Sequence, residues 1–177
     1  LCQAAHTPIH LGSFIGIVPR IVQRHGTEGL RPGDVFIGND AYEGGGTHLP
    51  DFVLAEPIFV DGAIIAWAVN TAHHSDFADR GHAHIFQEGL RIPPIRLKRA
   101  GEIVADVEAL ILLNCQVPRE RLSDLRAQMA ANRLGVARLQ ELAARYGTAR
   151  LLAAGAALMA YAERKMRAGI AALPDGI

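Results

Sequence analysis

The chain has 177 residues, half of them apolar and a fifth charged, which is enough to bury a core of ordinary globular size. Eighteen basic and eighteen acidic side chains cancel, so no overall field draws nucleic acid or an anionic membrane surface, and neither is expected as a partner. Two cysteines, Cys2 and Cys115, lie far apart without a CxxC, which argues against a disulfide framework or a thiolate zinc site and fits a reducing cytoplasm; no apolar run reaches the roughly 20 residues that cross a bilayer.

In chain order, residues 12–25 place Phe14, Val18, Ile21 and Val22 at helical spacing. Ser13 is able to cap this helix, and Pro19 to kink or restart it. After the turn residues Arg31-Pro32-Gly33-Asp34, the short apolar run Val35 to Gly38 reads as a buried strand, followed by Asn39-Asp40 and the glycines Gly44 to Gly46. Asp61-Gly62 separates two runs of branched and aromatic residues, Phe52 to Val60 and Ala63 to Asn70, a strong hairpin signal. Residues 77–90 read as a polar loop, Pro93-Pro94 as an extended path into Ile95 to Lys98, and Ala100-Gly101-Glu102 as a turn. From Asp106 the period becomes helical, with Val107, Leu110 and Ile111 on one face. Pro118 opens a long amphipathic helix carrying Leu122, Leu125, Met129, Asn132, Val136, Leu139 and Ala143. Gly147 ends it, and residues 148–168 form a second, alanine-rich helix. Asn132, interrupting the apolar seam, is expected to fix register or bond a backbone group.

All eight histidines precede residue 85, so chemistry belongs to the first half and scaffolding to the second. The fold-back at Asp61-Gly62 returns His73 to the sheet end where Asp51 and His48 sit, and two imidazoles with one carboxylate suit a divalent transition ion such as zinc, manganese or iron. The plainer alternative is a loop histidine beside a strand-capping aspartate. Neighbouring side chains in an extended segment point opposite ways, so His73 is assigned to the ion, and His74 to orienting substrate or donating a proton. Asp76, Asp40 and Glu88 are the carboxylates able to hold an imidazole proton or act as general base, each competing with the role of a solvated loop residue. The glycine run either receives a phosphate or permits close backbone approach to the ion, and Arg91 either binds a substrate carboxylate or is simply solvated.

The wording of these blocks goes beyond their spacing. Gly33-Asp34-Val35-Phe36-Ile37-Gly38-Asn39-Asp40-Ala41-Tyr42, Gly46-Thr47-His48-Leu49-Pro50-Asp51, Ala72-His73-His74-Ser75-Asp76, Gln87-Glu88-Gly89-Leu90-Arg91-Ile92-Pro93-Pro94, Asp124-Leu125-Arg126-Ala127-Gln128 and Leu173-Pro174-Asp175-Gly176 together resemble the hydantoinase B/oxoprolinase family. The resemblance implies an ATP-dependent system for cyclic amides such as hydantoins, 5-oxoproline or lactams, with relatives that carboxylate acetone or acetophenone. It implies a partner subunit of the hydantoinase A type that uses ATP to phosphorylate the substrate carbonyl oxygen, and hence a hetero-oligomer. It also implies His48, Asp51 and His73 as metal ligands, with a further carboxylate ligand of some members lying upstream of Leu1. Departures are the shorter segment 77–84, Ala41 in place of the family's proline, and Ser123 in place of its glycine.

The expected architecture is α+β and part of a larger subunit. Residues 1–105 are expected to form a mixed or antiparallel sheet region with the metal site, and 106–177 a helical hairpin packed on it. The expected activity is the metal-dependent half of a cyclic amide hydrolase, inactive by itself. The alternatives are a ketone carboxylase subunit and a non-catalytic assembly module.

Overall fold

The structure is a computed structural model in which residues 10, 12, 15–43, 45–74 and 84–174 are described. Its frame is an antiparallel sheet built around β1 (Val35–Gly38), in the strand order β3-β2-β1-β4-β5. β2 (Asp51–Val60) and β3 (Ala63–His73) pair along their whole length, from Val60 opposite Ala63 at the turn to Asp51 opposite His73 at the far end. Asp61 and Gly62 both have positive φ, 50° and 80°, the combination that lets a two-residue turn follow the strand twist. β4 (Ile95–Arg99) and β5 (Glu102–Ile103) repeat the device, with φ of 48° at Ala100 and 94° at Gly101. The sheet is therefore antiparallel throughout, the second of the two forms expected.

Side chains alternate across the pleat, and β1 and β2 are buried on both faces. Val35, Ile37, Phe52 and Leu54 join Ile92, Leu97, Ile111 and Leu125 in one cluster, on the side of α3 (Ala105–Leu113) and α4 (Pro118–Tyr146). Phe36, Val53 and Ala55 meet Ile17 and Ile21 of α1 (Ile17–His25) and Leu30 on the other. Fully burying an aliphatic or aromatic side chain of this size stabilises a fold by roughly 1.5–3 kcal/mol, so these two clusters carry the sheet.

Several expectations shift in detail. α1 begins at Ile17, later than residue 12, which puts Pro19 in the first turn where its missing N–H costs no helical bond; Ser13 and Phe14 lie outside the described residues. Within the segment read as a loop, Ile85–Glu88 form a single turn of helix, α2, whose entry is fixed by reciprocal bonds between His84 and Gln87. Leu110 is exposed, leaving Val107 and Ile111 as the inward face of α3.

The buried column of α4 is also more polar than its apolar seam suggests. Arg121, Leu125, Gln128, Asn132 and Ala143 are buried, while Leu122 and Met129 are only partly so. Asn132 Nδ2 donates to the Leu54 carbonyl and Gln128 Nε2 to the Phe52 carbonyl, at 3.2 and 2.9 Å. Asn70 of β3 closes the group by donating to Asn132 Oδ1 and the Gln128 carbonyl, both at 2.8 Å. α4 is thus set on β2 and β3 by directional bonds, which sliding by one turn would break. α5 (Thr148–Ala171) follows through Gly147 alone, whose φ of 83° turns the chain, and buries none of its residues among those described.

Candidate metal centre

The site forms where the β2–β3 ladder ends. Asp51 and His73 are directly opposed across the strands, which on a pleated sheet places both side chains on one face. His73 Nδ1 lies 3.3 Å from Asp51 Oδ1. His48 approaches the other carboxylate oxygen from the preceding loop, its Nε2 3.3 Å from Asp51 Oδ2, and the two imidazole rings sit 5.0 Å apart. Asp51 is 1 % exposed, whereas His48 and His73 are 41 and 55 % exposed. One ligand atom from each of the three falls within 4.8 Å of the others. A buried carboxylate faced by two accessible imidazoles is a donor set that fits a divalent ion of borderline softness, so the residues present suit the metal that the sequence leads one to expect.

The loop that delivers His48 is fixed by its neighbours. Asn39 donates through Nδ2 to the Leu49 and Leu90 carbonyls, at 2.7 and 2.8 Å, and accepts from the Ile92 amide at 2.7 Å. Gly46, at φ 78°, passes so close to the sheet that a Cβ there would stand 2.9 Å from the Asp51 carbonyl oxygen and 3.0 Å from that of Asn39. Glycine is required at this position by the close approach of backbone. Asp40 holds the start of the loop by accepting from the amides of Tyr42 and Glu43 and from Arg91 Nε. Burial opposes its charge, but these donors outweigh that effect and keep its carboxyl below the usual range. Asp40 and Arg91 therefore serve each other, with the guanidinium also packed over Phe86.

Among the other candidates, Glu88 joins the site indirectly. Its Oε1 lies 3.5 Å from His48 Nδ1, the ring nitrogen pointing away from Asp51, in the arrangement by which a carboxylate fixes the tautomer of a ligating histidine. His74 does not join it. Being one residue on, it projects through the opposite face, fully buried against Phe52, with Nε2 2.9 Å from Gln128 Oε1. Burial holds its pKa below the ordinary value, against the partial opposition of the Gln128 bond. The ring is enclosed between the sheet and α4, on the other face from His48, Asp51 and His73. Asp76 lies outside the described residues.

Two further side chains reach Asp51. Thr47 Oγ1 donates to Oδ2 at 2.6 Å, and His10 Nδ1 lies 3.7 Å from the same oxygen. The interval of four from Thr47 to Asp51 across a turn was a readable signal. Nothing local ties His10 to a carboxylate 41 positions later.

Comparison with known proteins gives a consistent picture. Residues 1–177 match the family model described as hydantoinase B/oxoprolinase. The beta subunit of the caprolactamase of Pseudomonas jessenii is 35% identical over 184 aligned residues, covering 99% of this chain and 31% of its own length. The B-type component of a putative D-/L-hydantoinase of Pseudomonas sp. strain NS671 is 32% identical, with the same coverages. The crystal structure of the ATP-dependent caprolactamase from Pseudomonas jessenii superposes with a TM-score of 0.84 at 35% identity, over 96% of this chain and 30% of that one. The chain thus spans under a third of the length of the proteins it is compared with. Among its described residues no helix is long and apolar enough to cross a membrane.

Proposed function

This chain belongs to the hydantoinase B/oxoprolinase family, and from that premise we propose that it is the metal-binding catalytic part of an ATP-dependent cyclic amide hydrolase. The substrate is a small lactam, hydantoin or oxoproline ring whose carbonyl oxygen has been phosphorylated by a hydantoinase A-type partner in a hetero-oligomer. The single observation that carries the reading is the convergence of His48 and His73 on the buried carboxylate of Asp51.

In this reading His48, Asp51 and His73 hold the ion. Bound there, a divalent cation supplies Lewis-acid polarisation of a carbonyl or phosphoryl oxygen and lowers the pKa of water, which is the help a resonance-stabilised amide needs. Glu88 keeps the proton of His48 on Nδ1, so that Nε2 presents its lone pair inward. Thr47 uses its hydroxyl to fix the rotamer of Asp51. The exposed sides of His48 and His73 leave the site open to a small ring.

The test measures metal and turnover separately. Purified protein is expected to carry close to one equivalent of zinc, manganese or iron, lost in His48→Ala and His73→Ala without loss of fold. With an A-type partner and ATP, the same variants are expected to lose ring opening of hydantoin, 5-oxoproline or caprolactam. Carbon fixation into acetone in place of ring opening would move the protein to the carboxylase branch. Metal-free protein with unchanged stability would reduce it to an assembly module.

A further inference from the structure

One polar side chain interrupts the inner row of β2. Phe52, Leu54, Glu56 and Ile58 alternate toward α4, so a carboxylate stands where the pattern asks for an apolar side chain. Glu56 is 8 % exposed, and among the described residues neither a hydrogen bond nor an ion pair holds it. Burial raises its pKa, which Lys98 and Arg133 offset only in part. A neutral side chain would serve the fold better here, so the charge calls for a partner that the described residues do not supply.

The carboxylate opens on a cavity of about 600 Å3 between α4 and the strands. Arg126, Met129 and Arg133, three and four positions apart, line it from one stripe of α4. Lys98 lines it from β4, where it pairs with Val35. Among the described residues, Lys98, Arg126 and Arg133 also lack a hydrogen bond or ion pair. The space is of small-molecule size, and its charges sort what can enter. A plain anion meets the buried carboxylate, and a plain cation meets three positive side chains. A molecule carrying one ammonium and two carboxylates answers all four groups, and its excess of acid matches the excess of cations in the wall.

We propose that the cavity between α4 and β4 binds an amino acid with a second carboxylate, its ammonium on Glu56 and its two carboxylates on Lys98, Arg126 and Arg133. This inference goes beyond the catalytic reading. The cavity shares no residue with the cluster of His48, Asp51 and His73, and its test needs neither turnover nor a partner subunit.

The test titrates the intact protein by calorimetry with L-glutamate and with glutarate, which keeps both carboxylates and lacks the ammonium. Glutamate is expected to bind at least about tenfold more tightly than glutarate. Glu56→Gln removes the charge at constant size, and is expected to weaken glutamate at least about tenfold while glutarate binds as well as before or better. Arg133→Gln, at an exposed position of α4 where folding is not at stake, is expected to weaken both. Absence of glutamate binding in the millimolar range would overturn the proposal. So would glutamate binding that Glu56→Gln leaves unchanged, which places the ligand elsewhere, or strengthens, which marks a plain anion patch.

Discussion

His73 and His74 are the same residue type, adjacent in sequence, and they sit in two different regions of the molecule. On the His73 side, two accessible imidazoles surround a buried carboxylate and stay open to solvent and to ligand. On the His74 side, an enclosed ring takes part in a network of Gln128, Asn70 and Asn132 that fastens α4 to the sheet. The pleat alone separates them. In the proposed reading, chemistry and scaffolding at this end of the sheet are sorted by strand parity, so a shift of one residue in register would exchange the two side chains.

The largest effect expected of any variant is one that breaks this sorting. His74→Ala opens a buried void beside Phe52 and leaves Gln128 Oε1 without its partner, which is expected to cost about 3 kcal/mol by chemical denaturation while metal content stays intact. His73→Ala should do the reverse, losing metal while changing stability by no more than about 0.5 kcal/mol. If His74→Ala instead releases the metal from a stable protein, the two sides are not separate.

A smaller effect sharpens the open side. Glu88→Gln keeps the size of the side chain but removes the charge beside His48 Nδ1, and metal affinity measured by competition with a chelator is expected to fall about 10- to 100-fold, with no change in unfolding. Unchanged affinity would leave Glu88 a bystander.

The smallest effect concerns Glu56, which shares its side of the sheet with Phe52 and Leu54. Burial raises its carboxyl pKa, with Lys98 and Arg133 only partly offsetting the shift. A folded-state pKa above the unfolded one means that the native protein binds more protons over that interval, so this group's contribution to stability declines as pH rises through it. Glu56→Gln is accordingly expected to stabilise the protein by roughly 1 kcal/mol at pH 7 and by much less near pH 4, measured by denaturant titration at both values. A gain independent of pH would show that charge burial is not the cause.

Much of this was legible in advance. The Asp61-Gly62 turn could be read because two positive φ values in succession favour such residues, and that turn by itself brings Asp51 and His73 to one end of the sheet. Gly147 and Pro118 marked helix ends for similarly local reasons. Less legible was α4, where Gln128 is polar in sequence yet buried, because its bonds run to Phe52 and Asn70, 76 and 58 positions away. The enclosure of His74 follows from the same contacts.

By itself, then, the sequence determined the family, the strand hairpin and the meeting of His48, Asp51 and His73 at one end of the sheet, since each rests on residues close together in the chain or on motif wording. Only the tertiary structure decided that His74 is enclosed, that His10 reaches Asp51 and that Glu88 backs His48. Those facts depend on which faces meet, and a face is a property of packed elements rather than of neighbours along the chain.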